Sequence, residues 1–119
     1  MTRIIIVDDQ PVFRRQLRQL LTFGGLEVIG EAADIPSAER LVESLRPDLA
    51  VVDIMLPGIN GLEGTLRLKY IHPGLRVFLI SAYTDQASVY TVSAHNAGAE
   101  AFFVKDEIDL KIVQTWKEL

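Results

Sequence analysis

A chain of 119 residues suits one domain, and with 49% of them apolar it can bury a core without metal or disulfide staples. It has no cysteine, which excludes disulfides, thiolate metal sites and cysteine nucleophiles and fits a reducing cytoplasm. The net charge of -4, with no Lys/Arg cluster, argues against direct nucleic-acid binding, and no run is apolar and long enough to span a bilayer.

In chain order, Arg3 to Val7 is a short β-branched run that reads as a strand and is closed by Asp8-Asp9. These two acids also interrupt the only apolar run near the start, so no signal peptide is expected. A helix starts near Gln10, with Pro11 in its first turn and Phe13, Leu17, Leu20 and Leu21 on one face. Gly24-Gly25 stops it, and residues 26–33 read as a second strand. A second helix covers 35–46 with Ala38, Leu41, Val42 and Leu45 as its stripe, and Pro47 ends it.

Leu49 to Val52 then reads as a strand buried on both faces that runs into Asp53. The turn after it is built from Pro57, Gly58, Asn60 and Gly61, residue types that supply special backbone angles. A third helix covers 62–71, bounded by His72-Pro73-Gly74, and Arg76 to Ile80 is a fourth strand that stops at Ser81. The fourth helix, about 85–97, is poor by propensity because Ser88 to Ser93 is rich in β-branched and hydroxyl residues. Gly98 ends it, Ala101 to Val104 is the fifth strand, and Lys105 closes that strand. The last helix carries Ile108, Ile112, Trp116 and Leu119 on one stripe.

Five strands alternating with five helices imply parallel strands joined by crossover helices, a doubly wound α/β sandwich. The strand order 2-1-3-4-5 is taken from folds of this kind rather than from periodicity. Four strands then end in polar groups at one sheet edge: Asp8-Asp9, Asp53, Ser81 and Lys105. Three carboxylates packed together repel one another unless a cation intervenes, and oxygen-only ligands suit a hard ion such as Mg²⁺. Lys105 and Ser81 match an incoming phosphoryl group, and Asp53 is the candidate nucleophile.

This pattern resembles the receiver domain of two-component response regulators, with its flavodoxin/CheY-like three-layer sandwich, over the whole chain. The matching stretches are Ile6 to Asp9, Asp53 to Gly61, Ile80 to Ala82 and Gly98 to Lys105. The resemblance implies that Asp53 takes a phosphoryl group from a sensor histidine kinase in a Mg²⁺-dependent reaction. It implies that Asp8, Asp9, Asp53 and the Met55 backbone carbonyl serve the metal, with Asp8 acting largely through water. Ser81 and Lys105 would hold the phosphoryl oxygens, and Phe102 stands at the switch-aromatic position. Phosphorylation would draw Ser81 inward, let Phe102 turn in, and change the face of helix four, strand five and helix five. Such a domain is not an enzyme acting on other substrates; it catalyses only its own phosphorylation and dephosphorylation.

Asp106, where many receivers have proline, and Asp8 to Arg14 resemble the NarL/LuxR-type branch with a helix-turn-helix output. On that reading residues 1–119 are the receiver of a cytoplasmic transcription regulator, any C-terminal DNA-binding domain lies outside this chain, and no membrane is involved. Homodimerisation on phosphorylation, through helices four and five or one and five, is a habit of the family. Gln10 and Asn60 replace a common His and Asp, neither of them a ligand in the family scheme, and a trans peptide is expected after Lys105. Met55 and Tyr83 flank the site and bear on how long the phosphate survives.

Blander readings exist for each residue. Asp8 or Asp9 can cap the first helix, Phe102 can be a plain core aromatic, Trp116 and Leu119 read as core, and His72 and His95 as surface or loop residues. Competing functions are a receiver-like interaction module that is never phosphorylated, and a small enzyme. The first generally loses an acid or the lysine, all of which are kept here. A phosphatase of the aspartyl-phosphate type wants an acid where Met55 stands. A flavin carrier wants a Gly/Ser/Thr-rich loop where Asp8-Asp9-Gln10-Pro11 stands.

Overall fold

Strand β1 (Arg3–Val7) leads to α1 (Pro11–Phe23), β2 (Glu27–Ala32), α2 (Ile35–Leu45), β3 (Leu49–Asp53) and α3 (Gly61–Ile71). The chain continues through β4 (Arg76–Ser81), α4 (Ala87–Asn96), β5 (Ala101–Val104) and α5 (Leu110–Thr115). The computed structural model describes residues 1–82 and 87–118, without the side chains of 87, 88 and 118. Tyr83, Leu119 and the expected start of the fourth helix at 85 lie outside the described residues.

All four strand pairs are parallel, in the order β2-β1-β3-β4-β5. Side chains alternate along each strand, so the continuous apolar runs feed two layers. Ile5, Val7, Ala50, Val52 and Leu79 face α2, α3 and α4 through Ala38, Val42, Leu68 and Ala94. Ile4, Ile6, Val51, Phe78 and Ile80 face α1, α5 and the turn that follows α5 through Leu17, Leu21, Val113 and Trp116. Trp116 is core, as expected, stacked edge-on against Phe78 at 5.0 Å.

The last helix departs from expectation. Lys105–Glu107 forms a 3-10 turn, Ile108 is extended, and Asp109 caps α5 by accepting the Ile112 N–H. Trp116 then opens a second 3-10 turn, Trp116–Glu118, instead of continuing α5. Apolar spacing correctly put Ile108 and Ile112 against the core, but a shared face does not require one continuous helix. Among the described residues no peptide is cis, including the one after Lys105.

At the end of α2, Arg46 adopts a left-handed conformation, φ 49, where glycine is usual. Its guanidinium donates to the Ile71 carbonyl, and the Arg3 guanidinium donates to the Arg46 carbonyl, which holds Arg46 there. His72 is half-buried with Nε2 3.1 Å from the Pro47 carbonyl oxygen. It lies in the loop after α3, and His95 is exposed, in keeping with the reading of both as surface or loop residues.

Asn60 caps α3, its side-chain oxygen accepting the Glu63 N–H at 3.0 Å. Asn60→Ala removes that acceptor and should cost about 1 kcal/mol in urea unfolding, while Asn60→Asp keeps it and should cost far less.

Candidate functional site

The carboxyl ends of β1, β3, β4 and β5 meet at one edge, because parallel pairing stacks these strands in register. Asp53 lies opposite Ile80, and Ser81 lies opposite Val104, next to Lys105. Asp8, Asp53, Ser81 and Lys105 are all buried there, at 0%, 4%, 0% and 8% exposure, whereas Asp9 is exposed. The polar residues that closed the apolar runs in the sequence thus come together in three dimensions.

Lys105 reaches into the acids. Its Nζ lies 2.7 Å from Asp8 Oδ2 and donates to Asp53 Oδ2 at 3.1 Å and to Gln10 Oε1 at 3.3 Å. The ion pair to Asp8 and these two hydrogen bonds hold the buried cation. The Phe13 ring lies beneath it, 4.4 Å from Nζ to the centroid. The remaining carboxylate oxygens are held by main-chain donors, Asp8 Oδ1 by the Gln10 N–H and Asp53 Oδ1 by the Met55 N–H. Met55 points its own side chain outward, 52% exposed.

Burial pushes the Asp8 carboxyl above its ordinary range, and the nearby Asp53 charge works the same way, only partly offset by Lys105 and the Gln10 N–H. Burial works against the Lys105 ammonium as well, but the two acids outweigh it and its pKa lies above the usual value.

Oxygens of Asp8, Asp9 and Asp53 lie within 4.8 Å of one another. The donors are carboxylates only, and the exposed Asp9 leaves one side open to water. That set fits a hard cation such as Mg²⁺, which keeps several waters and takes one or two carboxylates. A cleft of about 460 Å³ opens over the lysine, lined by Asp9, Gln10, Phe13, Ala82 and Asp106.

Several features escape sequence reasoning. Gln10, which it assigns no part, touches Lys105 and is also the cap residue of α1, through its backbone and without a side-chain bond. Neither Asp8 nor Asp9 is that cap; Asp8 instead accepts the Gln10 N–H. Phe13 reads as core stripe yet lies against the ammonium.

Gly61 matters through space. Its φ is not among the positive glycine angles, which belong to Gly25, Gly58 and Gly98. A Cβ at Gly61 would sit 2.3 Å from the Asp53 carbonyl oxygen. Phe102 is half-buried against the α2/α3/α4 layer, its ring 5.8 Å from that of Tyr90.

The sequence matches the response regulator receiver domain family over residues 4–117. It is 34% identical over 112 residues to the chemotaxis protein CheY of Thermotoga maritima, covering 94% of this chain and 92% of that one. It is 35% identical over 113 residues to the probable transcriptional regulatory protein NarL of Mycobacterium tuberculosis, covering 94% of this chain and 51% of that protein. The chain therefore spans nearly all of the first and about half of the second. A LuxR-family two-component response regulator from Aurantimonas sp. SI85-9A1 superposes with a TM-score of 0.89 at 32% identity, over 99% of this chain and 84% of that one. The strand order, the acid group at the strand ends and these likenesses agree: the chain belongs to the response regulator receiver domain family, whose members act as phosphoacceptor signalling domains.

Proposed function

We propose that Asp53 is the phosphoacceptor and that a sensor histidine kinase supplies the phosphoryl group from a phosphohistidine. The observation that carries this is a nearly fully buried carboxylate at the end of the central strand, held by a lysine at 3.1 Å and a main-chain N–H at 2.9 Å beside two further acids. A carboxylate oxygen of Asp53 attacks phosphorus, the P–N bond breaks, and the imidazole departs as an acyl phosphate forms. Lys105 and Ser81 then pair with phosphoryl oxygens. Mg²⁺ bound by Asp8, Asp9, Asp53 and the Met55 carbonyl would neutralise charge on the transferring group.

The readout on this proposal is Ser81 moving toward the phosphate and Phe102 turning inward, which reshapes the face of α4, β5 and α5. That face carries Val89 and Val92, each 61% exposed. Two outward valines on a helix of weak propensity suit an element that changes partner, including a second copy of this chain. The likeness to a transcriptional regulator supports a cytoplasmic switch, with residues 1–119 as its receiver and DNA reached only through a separate domain. Among the described residues no helix is long and apolar enough to cross a membrane.

Acetyl phosphate with Mg²⁺ tests the acceptor. Intact mass should rise by about 80 Da in wild type, and the gain should vanish in Asp53→Asn and when Mg²⁺ is chelated. An adduct that survives in Asp53→Asn means that another residue is the acceptor.

A further inference from the structure

The edge strand β2 contributes no residue to the acid group, yet it is tied to that group at two points. The Asp8 N–H donates to the Ala32 carbonyl at 2.9 Å. On the other side of the same residue, in the peptide that joins Asp8 to Asp9, Arg14 Nη1 donates to the Asp8 carbonyl at 2.6 Å. Arg14 sits one turn into α1, its own N–H bonded to the Gln10 carbonyl. Its guanidinium Nε is paired with Glu31 Oε1 at 3.2 Å, and Glu31 Oε2 is held in turn by Arg18 at 2.6 Å.

A planar guanidinium held at one end by a carboxylate has little freedom left, so the donor facing Asp8 is aimed. The Arg14 side chain is 21% exposed and that of Glu31 29%. As an ion pair alone this would contribute little to stability. Its other product is direction, because the carbonyl it fixes belongs to the residue where β1 turns into the acid loop. The orientation of both Asp8 and Asp9 follows from that turn.

We infer that Arg14 and Glu31 are positioning residues for the cation site: they lock the Asp8 main chain between α1 and β2 and so hold the acid pair ready for Mg²⁺. This rests on the metal reading of the acid group. Partners behind metal ligands commonly set affinity as strongly as this, through geometry and not contact. Charge alone would act in the opposite sense, since a cation close to the site repels Mg²⁺. Glu31 neutralises that charge, which leaves orientation as the larger effect.

The test is Mg²⁺ binding to the unphosphorylated full chain, followed through the backbone amide resonances of Asp8 and Asp9, with urea unfolding recorded in parallel. Arg14→Ala should weaken Mg²⁺ affinity about tenfold or more. Arg14→Lys, which can still reach the carbonyl but not both partners, should fall between. Glu31→Ala, which frees the guanidinium without touching Asp8, should also weaken binding and keeps the test open if Arg14→Ala does not fold. Arg18→Ala removes only the outermost contact and should stay within about twofold of wild type. Unchanged or tighter Mg²⁺ binding in folded Arg14→Ala and Glu31→Ala overturns the inference. Absence of Mg²⁺ binding in wild type would instead overturn the metal reading beneath it.

Discussion

Replacing Lys105 by methionine is expected to lower stability at neutral pH by about 3 kcal/mol, on the order of 10 °C in Tm. The lysine side chain is 6% exposed and pairs with Asp8 and Asp53 at 2.7 and 3.1 Å. Methionine fills much the same volume, so packing changes little and the loss is that of the cation. Two buried carboxylates then face each other uncompensated. Asp8 already lies above its ordinary range through burial, and losing the ammonium raises it further.

An acid whose folded pKa exceeds its unfolded value costs stability above the folded pKa, and that cost disappears as pH falls through it. The loss caused by Lys105→Met should therefore be full at neutral pH and shrink at an acidic pH low enough to protonate the raised carboxyl, read at both by urea unfolding with Trp116 fluorescence. Wild type carries the complementary alkaline limb. Burial works against the ammonium, but pairing with Asp8 and Asp53 wins and raises the Lys105 pKa above 10.5. The resulting stabilisation is complete below 10.5 and is lost as pH rises through the folded value, a limb that the variant should lack. A loss that is the same at both pH values would show that the acids are not left unpaired.

Gly61→Ala is expected to damage the site and the fold together. The added Cβ meets the Asp53 carbonyl oxygen at 2.3 Å and the Ile54 Cα at 2.9 Å, both main-chain atoms that cannot rotate away. Gly61 is further pinned by its N–H to the Ile54 carbonyl and by the Thr65 hydroxyl donating to its own carbonyl. Either α3 or the end of β3 has to move. Overpacking of this kind costs about 2–3 kcal/mol. A shift near 1 Å at Asp53 would slow phosphorylation by roughly 100-fold, since transfer depends on positioning. Intact mass against time with acetyl phosphate checks this. A normal rate in a destabilised Gly61→Ala would place the displacement in α3 and away from Asp53.

Much of this protein is legible in one dimension because apolar runs and their stops are local signals. Leu49 to Val52 reads as buried on both faces, and all four residues are fully buried. Gly25, Pro47 and Gly98 mark helix ends because the freedom of glycine to take positive φ and the restriction imposed by proline act wherever they stand. Alternation of strands and helices then forces parallel pairing, and with it the gathering of strand ends that brings Asp8, Asp53, Ser81 and Lys105 to one edge.

Other features depend on distances that no local pattern encodes. Gln10 and Lys105 are 95 positions apart and bond only because β1 and β5 end at the same depth. Phe13 has the spacing of a core residue and is also a platform for an ammonium, which periodicity cannot distinguish. Ile108 keeps the helical period of α5 but is extended, since Asp109 offers a better start for the helix. The amino-acid sequence by itself determined the layers, the chemistry-bearing edge of a parallel sheet and the acids on it, because burial and backbone preference are properties of short segments. Only the tertiary structure decided that Gly61 is needed for room, that Gln10 and Phe13 surround the lysine, and that Arg14 and Glu31 tie the acid loop to β2, because those are contacts between side chains and backbone brought together by packing.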